Sequence, residues 1–183
     1  MRYFVAFVVA LGLVLMLAFL LFHGGGSPKK LTIKTLESYA ATNSEVQMTI
    51  DGPINANQQH QQVKITAGSS NVTYEQLKGY NGDVVNLQNF ANTEAAYYNF
   101  LAALGHAGFT KGDNNPLLKN ESGYCPLGNR YVFVLRQDGQ DVQRYWTTSC
   151  DKTKTYLGAQ SLTITLFQRQ VPGYDVLTQS LNL

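Results

Sequence analysis

Charged residues are scarce in this chain. Lys, Arg, Asp and Glu make up 14% of its 183 residues, and 14 basic against 12 acidic residues leave a formal net charge of +2. A protein that binds a row of phosphates needs clustered Lys and Arg, whereas the basic residues here are scattered. The composition therefore argues against a nucleic-acid partner.

Catalytic signatures are also missing from the sequence. His23 is expected at the membrane edge. His60 and His106 stand alone, with no His or carboxylate at metal-ligand spacing, and we expect them on the surface or at helix ends. No serine lies in a Gly-x-Ser-x-Gly motif. The Asp113-Asn114-Asn115 segment lacks the spacing of a calcium loop and is expected to form a turn. The sequence thus predicts no catalytic residue, no metal and no cofactor.

Only two cysteines are present, Cys125 and Cys150. They form no Cys-x-x-Cys motif and have no further thiol with which to exchange, which argues against a redox role. An even pair at disulfide-compatible positions is typical of an oxidising compartment outside the cytoplasm.

What the chain does have is a long apolar run from Tyr3 to Phe22. At about 1.5 Å per residue a helix of this length reaches roughly 30 Å, the thickness of the hydrocarbon core of a bilayer. The run exceeds the roughly 7 to 15 residues of a cleavable signal peptide, so residues 1–23 are predicted to be a transmembrane anchor. Gly24 to Gly26 leave cleavage after Gly26 as the alternative.

The clues to orientation disagree. Arg2 favours a cytoplasmic N-terminus, whereas Lys29, Lys30 and Lys34 follow the run and favour the reverse. Because large domains are translocated largely regardless of charge, the first interpretation is preferred. Residues 24–43 are predicted to be a linker, and residues 44–183 an extracytoplasmic domain on a single-pass membrane protein.

The predicted domain opens with strands. Val46, Met48 and Ile50 alternate with polar residues, as in a half-buried strand, and Asp51-Gly52-Pro53 form a turn. Further short apolar or alternating segments follow at 63–67, 72–77 and 84–90, separated by turn residues. Together they predict an antiparallel meander.

A helix is predicted after the meander. Asn92 is a suitable N-cap, and Glu94 lies in the first turn, where the helix dipole favours a negative charge. Apolar residues then recur at helical spacing and are expected to pack on the sheet: Tyr97, Phe100, Leu101 and Leu104.

A hairpin is predicted at Asp138-Gly139, the preferred pair for a type I′ turn. The register that follows places Tyr131 opposite Trp146, with Tyr145 on the other face. It also brings Cys125 and Cys150 together at the base of the hairpin, where a disulfide is expected. Tyr131, Tyr145 and Trp146 are a candidate aromatic contact surface if exposed, and core if buried; the core interpretation is preferred.

Several stretches of the chain resemble a family of small, membrane-anchored extracytoplasmic proteins of candidate-phylum bacteria, for which no activity is characterised. They are Met48–Pro53, Asn92–Phe100, Gly108–Phe109, Tyr131–Cys150 and Leu166–Tyr174. The resemblance implies a bacterial envelope location and a second helix before Val171-Pro172, where periodicity alone leaves strand and helix open. The predicted fold is α+β: an N-terminal transmembrane helix, then an antiparallel sheet with two packed helices.

Three classes of function remain open at this point. The first is an anchored binding or structural module of the cell envelope, with an unknown protein or glycan partner. The second is a pilin-like subunit of a surface filament, although the chain has no acidic residue before Glu37, whereas pilins carry a Glu at the start of the apolar run. The third is an envelope hydrolase whose site is assembled from dispersed residues.

Overall fold

The structure is a computed structural model that describes residues 35–150 and 153–183, together with residues 12 and 16. One compact unit comprises Lys34–Leu183. Apart from those two residues, the predicted anchor and the linker up to residue 34 lie outside the described residues. Within the described part of the chain, no helix is both long enough and apolar enough to cross a bilayer.

The predicted meander is confirmed. Four consecutive strands pair antiparallel, each with the next. They are β1 (Ser44–Asp51), β2 (Gln61–Gly68), β3 (Asn71–Lys78) and β4 (Asp83–Ala91).

A helix, α1 (Glu94–His106), follows the meander as expected, and its apolar stripe from Tyr97 to Leu104 is buried. The predicted N-cap was one residue off. The cap is Thr93, whose Oγ1 accepts a hydrogen bond from the Ala96 N–H at 3.2 Å. Asn92 instead donates from its amide to the Gly68 carbonyl, 2.7 Å away, and so ties the start of the helix to the sheet.

The Asp138-Gly139 hairpin is confirmed, with both residues at positive φ, and joins β5 (Arg130–Gln137) to β6 (Gln140–Thr148). The predicted register pairs Gln137 with Gln140 and Arg136 with Asp141 next to the turn, and it is wrong beyond those two pairs. A bulge between Leu135 and Arg136 shifts the pairing by one residue. As a result, Tyr131 lies opposite Thr147, and Trp146 lies opposite Val132. Tyr145 therefore shares the face of Tyr131, and Trp146 lies on the other face.

Two helices close the chain, α2 (Gln160–Gln168) and α3 (Tyr174–Thr178). The first is the helix that the resemblance implied, and the second was not predicted. Short 3₁₀ turns lie at Leu36–Ala41 and Pro116–Leu118. Leu36 and Ala40 are buried in the core, so the last residues of the predicted linker belong to the packed unit.

The six strands form one antiparallel sheet in the order β4-β3-β2-β1-β5-β6. One face packs against the helices in the main core, which includes Met48, Ile65, Phe133, Leu101 and Phe167. Part of the other face carries a smaller core, in which residues of β5 and β6 pack under the segment 113–129: Val132, Val134 and Trp146 with Leu118 and Tyr124. The fold is therefore α+β, with a sheet that is covered on one face and partly covered on the other.

Candidate functional site

Strand β4 is an open edge of the sheet. It pairs with β3 on one side only, and no other described segment pairs with its outer side. Residues 84–91 include no charge, no proline and no glycine. Val84, Val85 and Leu87 are each about half exposed, at 53%, 53% and 52%. Such an edge presents a row of unpaired backbone N–H and C=O groups, which is a template for a further strand.

A bulge shapes this edge. Pairing between β3 and β4 shifts at Gln76 and Leu77, so that Val85 is an extra residue between Val84 and Asn86. Leu87 lies opposite Glu75, which forms an ion pair with Lys64 of β2 at 2.6 Å. The carboxylate opposite Leu87 is therefore paired with a cation, and Leu87 does not lie beside an uncompensated charge.

The opposite edge of the sheet, β6, is guarded. The N–H groups of Thr155 and Tyr156 both donate to the Trp146 carbonyl at 2.9 Å, and the Trp146 N–H donates to Thr155 Oγ1 at 2.8 Å. Nearer the hairpin turn, the Gln143 side chain donates to the Phe109 carbonyl at 2.8 Å. The two edges therefore differ: the chain itself covers β6 at Trp146, whereas no described segment pairs with the outer side of β4.

A buried charge cluster lies where β1 ends. Asp51 accepts hydrogen bonds from Arg130 Nε at 2.7 Å and from Gln62 Nε2 at 3.0 Å, and its Oδ1 is 2.8 Å from His60 Nε2. Arg130 also donates to the Gly52 carbonyl. The expectation of a surface or helix-end histidine is wrong for His60, which is fully buried, and right for His106, which ends α1 and is exposed.

His60 has no ring nitrogen to spare for chemistry. Nδ1 is 3.1 Å from the Pro53 carbonyl, and Nε2 faces Asp51. The ring stacks on Tyr80 with centroids 4.0 Å apart, and the Tyr80 hydroxyl donates to the Asn55 carbonyl at 2.9 Å. The arrangement holds the loop between β1 and β2 in place, and the contacts account for the histidine as a structural residue.

A cleft of about 300 Å³ lies beside the smaller core, lined among others by Asp113, Lys119, Arg144 and Trp146. Its polar groups are largely engaged. Arg144 binds both oxygens of Glu121 at 2.7 Å, and Asp113 Oδ1 accepts from the Asn115 N–H at 3.0 Å. Residues 113–115, predicted as a turn, are irregular backbone that leads into the 3₁₀ turn Pro116–Leu118. No cluster of three or more His, Cys, Asp or Glu in the described residues has metal-binding geometry.

The candidate aromatic residues lie mainly inside the domain. Trp146 is 1% exposed, and its indole N–H donates to the Leu118 carbonyl at 2.6 Å. Tyr145 is 8% exposed, and Tyr131 is partly buried against the main core. The structure therefore brings Tyr131 and Tyr145 to one face of the sheet and Trp146 to the other.

Cys125 and Cys150 form a disulfide, as expected, with their Cα atoms 5.8 Å apart. It links the segment before β5 to the segment after β6. The Ile54 N–H donates to the Pro126 carbonyl at 2.8 Å, so the disulfide-bonded segment also holds the loop between β1 and β2. The bond thus stabilises the end of the sheet at which the buried charge cluster lies.

Burial raises the pKa of four tyrosines above its ordinary value: Tyr74, Tyr97, Tyr156 and Tyr174. Burial raises the pKa of Tyr97 to about 12, although its hydrogen bond with Ser44 Oγ, 3.3 Å long, acts in the opposite direction. Burial also raises the pKa of Tyr74 to about 12, with a smaller contribution from Tyr174. Both hydroxyls are therefore neutral over the physiological pH range.

The open edge of β4 was not anticipated from the sequence. The absence of charge and proline from residues 84–91 was the available signal, but whether a strand lies at an edge depends on the order of the strands. Comparison with protein-family models gives no match, and no curated protein matches the chain in sequence.

Proposed function

We propose that this protein is a single-pass, membrane-anchored module of the bacterial envelope, and that its extracytoplasmic domain binds another protein chain through the open edge of β4. The observation that carries the proposal is that edge: a nine-residue strand with one unpaired side and half-exposed Val84, Val85 and Leu87. Addition of a strand to an open edge supplies main-chain hydrogen bonds and pockets for alternate side chains.

The location rests on three supports. The run Tyr3–Phe22 is long enough to cross a bilayer, the disulfide suits an oxidising compartment, and the resemblance is to anchored envelope proteins. A protein partner is preferred to a glycan because a strand edge offers a regular row of backbone groups, which matches another backbone rather than a sugar.

No specific observation favours either alternative, the envelope hydrolase or the pilin-like filament subunit. A hydrolase would use His60, which lies next to the Asp51 carboxylate, but both of its ring nitrogens are engaged. A filament built strand to strand would need β4 of one subunit to meet β6 of the next, and β6 is guarded at Trp146.

Site-specific photo-crosslinking in intact cells tests the proposed binding edge. Leu87→benzoylphenylalanine should give a defined protein adduct. The matched control is Val142→benzoylphenylalanine on β6, where the native side chain is 50% exposed, and it should give none. Absence of a protein adduct at position 87, or equal adducts at both positions, would overturn the binding edge, and an adduct with glycan alone would change the class of partner.

The anchor has a separate test. The full-length protein should stay with the membrane fraction, and protease added outside the inner membrane should digest the domain. Recovery of a soluble species starting near Ser27 would show that the N-terminal run is a cleaved signal peptide.

A further inference from the structure

We infer that the strand taken up by β4 is β4 of a second copy of this chain, so that two domains join edge to edge about a twofold axis. This inference rests on the proposed binding edge and names its partner. The reasons are the symmetry of the strand, its charges and the state of the other edge of the sheet.

The strand is complementary to itself when it is reversed. Leu87 is the midpoint of its nine residues, Asp83–Ala91, so an antiparallel pairing centred on Leu87 places the Leu87 side chains of the two copies opposite each other. That register places Asn86 opposite Gln88, an amide pair. The bulge at Val85 puts Val84 on the same face as Leu87, whereas Phe90 packs against the main core on the other face, so Val84 and Leu87 of both copies share one face of the joint.

Charge does not oppose this pairing. The only ionisable residue of β4 is Asp83, at its first position, which the reversed register places at an end of the joint. The two Asp83 carboxylates then lie at opposite ends of the joint. Like charges directly opposite each other destabilise paired strands, and this register contains none.

A twofold joint also pairs the open β4 edges of both copies at once. An isologous contact uses the same surface on both copies and closes, whereas a head-to-tail contact grows into a ring or a filament. Head-to-tail growth would require the outer edge of β6, where the Trp146 carbonyl and N–H are already bonded to Thr155 and Tyr156. The pairing of β4 with β4 needs no strand edge that the chain already covers.

Tethering would assist the contact. Two copies anchored in one membrane share a thin layer, which raises their effective concentration. An edge contact too weak to form between dilute domains can then be populated in the envelope.

The mass of the purified full-length protein in detergent micelles, measured by sedimentation, tests the inference. The wild type should be dimeric at micromolar concentration. Leu87→Lys places two ammonium groups against each other at the twofold axis, and should weaken dimerisation at least tenfold. Val142→Lys, on the guarded edge, should leave it unchanged. Because all three proteins share the same anchor, a difference between them reports the β4 contact.

A geometric test uses the cysteine inventory. Cys125 and Cys150 are bonded to each other, so Leu87→Cys introduces a single free thiol. Facing residues of antiparallel strands have Cα atoms about 4.5–5.5 Å apart, within the range of a disulfide. Mild oxidation should therefore link Leu87→Cys into a covalent dimer, and Val142→Cys should remain monomeric. Thermal melting of each variant shows whether it has folded.

The outcomes separate this inference from the proposed function. A monomeric wild type, or a dimer indifferent to Leu87→Lys, overturns self-pairing. If the position 87 photo-adduct in cells then contains a different protein, the binding edge stands and its partner is not a second copy. If position 87 gives no adduct, both proposals fail.

Discussion

Asp51 is the residue at which three strands of the domain are held together. It belongs to β1 and binds Arg130 of β5, Gln62 of β2 and His60 of the intervening loop. Arg130 is 2% exposed and His60 is fully buried. A buried cation without its partner is costly, because its hydration is lost and nothing replaces it.

Replacement of the Asp51 carboxylate should therefore destabilise the folded domain. Asp51→Asn is expected to lower the free energy of unfolding by about 3–5 kcal/mol, since it removes the anion from between two buried basic groups. Urea unfolding followed by the fluorescence of Trp146, the one tryptophan of the chain, gives the measurement.

Glu75→Gln is the matched control for that change. Glu75 is as exposed as Asp51, at 18% against 19%, but its partner Lys64 is 28% exposed. Loss of this ion pair should cost less than about 1 kcal/mol. Equal losses for the two variants would mean that the burial of Arg130 and His60 does not set the energy of the cluster.

Sequence patterns could not have identified this cluster. His60 lies in a loop rich in Asn and Gln, and Arg130 is 79 residues from Asp51 along the chain. Their contact follows from two strand pairings, β1 with β2 and β1 with β5, that bring the ends of three strands together.

At the scale of elements, local chemistry predicted the β5–β6 turn but not the whole hairpin. Asp138 and Gly139 have the positive φ values of the expected turn, and the pairs Arg136–Asp141 and Gln137–Gln140 follow directly. The bulge beyond them moves Trp146 into the smaller core beneath Leu118. Such a shift depends on packing against a distant segment, and a turn motif carries no information about it.

The disulfide is a stabilising element of this hairpin. Cys125→Ala with Cys150→Ala should lower the free energy of unfolding by about 2–5 kcal/mol, because the unfolded chain regains the freedom of the closed loop. Urea unfolding of the full-length protein provides the value. Crosslinking at position 87 should persist in the folded variant, since β4 is at the far edge from β6 in the sheet.

Reductant supplies the control for the disulfide variant. It should destabilise the wild type by a similar amount and leave the double variant unaffected. A loss below about half a kcal/mol in the double variant would mean that the loop is already ordered without the bond.

The whole molecule should lose stability at alkaline pH. The pKa values of Tyr74 and Tyr97 rise on folding from 10 to about 12, so the folded state retains protons that the unfolded state releases. This contribution is fully present below pH 10 and is lost as pH rises to about 12. The urea midpoint, followed by Trp146 fluorescence, should fall across that window.

Neighbouring tyrosines on α1 offer a matched pair for this test. Tyr97→Phe should reduce the alkaline decline because it removes one of the late-titrating hydroxyls. Tyr98→Phe changes a side chain that is 49% exposed and should leave the decline as it is. An identical pH profile for all three proteins would contradict the assignment of the decline to buried tyrosines.

The order of the strands was the part of the architecture least accessible to prediction. Alternating apolar residues located β1, β2, β3 and β4, and the spacing on α1 located its buried stripe. Nothing in those patterns indicates that β1 lies between β2 and β5, because the β1–β5 pairing joins residues 79 to 93 positions apart.

The central position of β1 has a consequence for how the protein folds during its synthesis. The N-terminus leaves the ribosome first, so the meander β1–β4 can form before β5, the second neighbour of β1, has been synthesised. Until Arg130–Gln137 arrives, the nascent sheet ends in β1 on one side and β4 on the other. A chain halted before residue 130 therefore has two unprotected sheet edges and lacks the core residues that β5, β6 and α2 contribute. We expect such a chain to be bound by chaperones and cleaved by proteases.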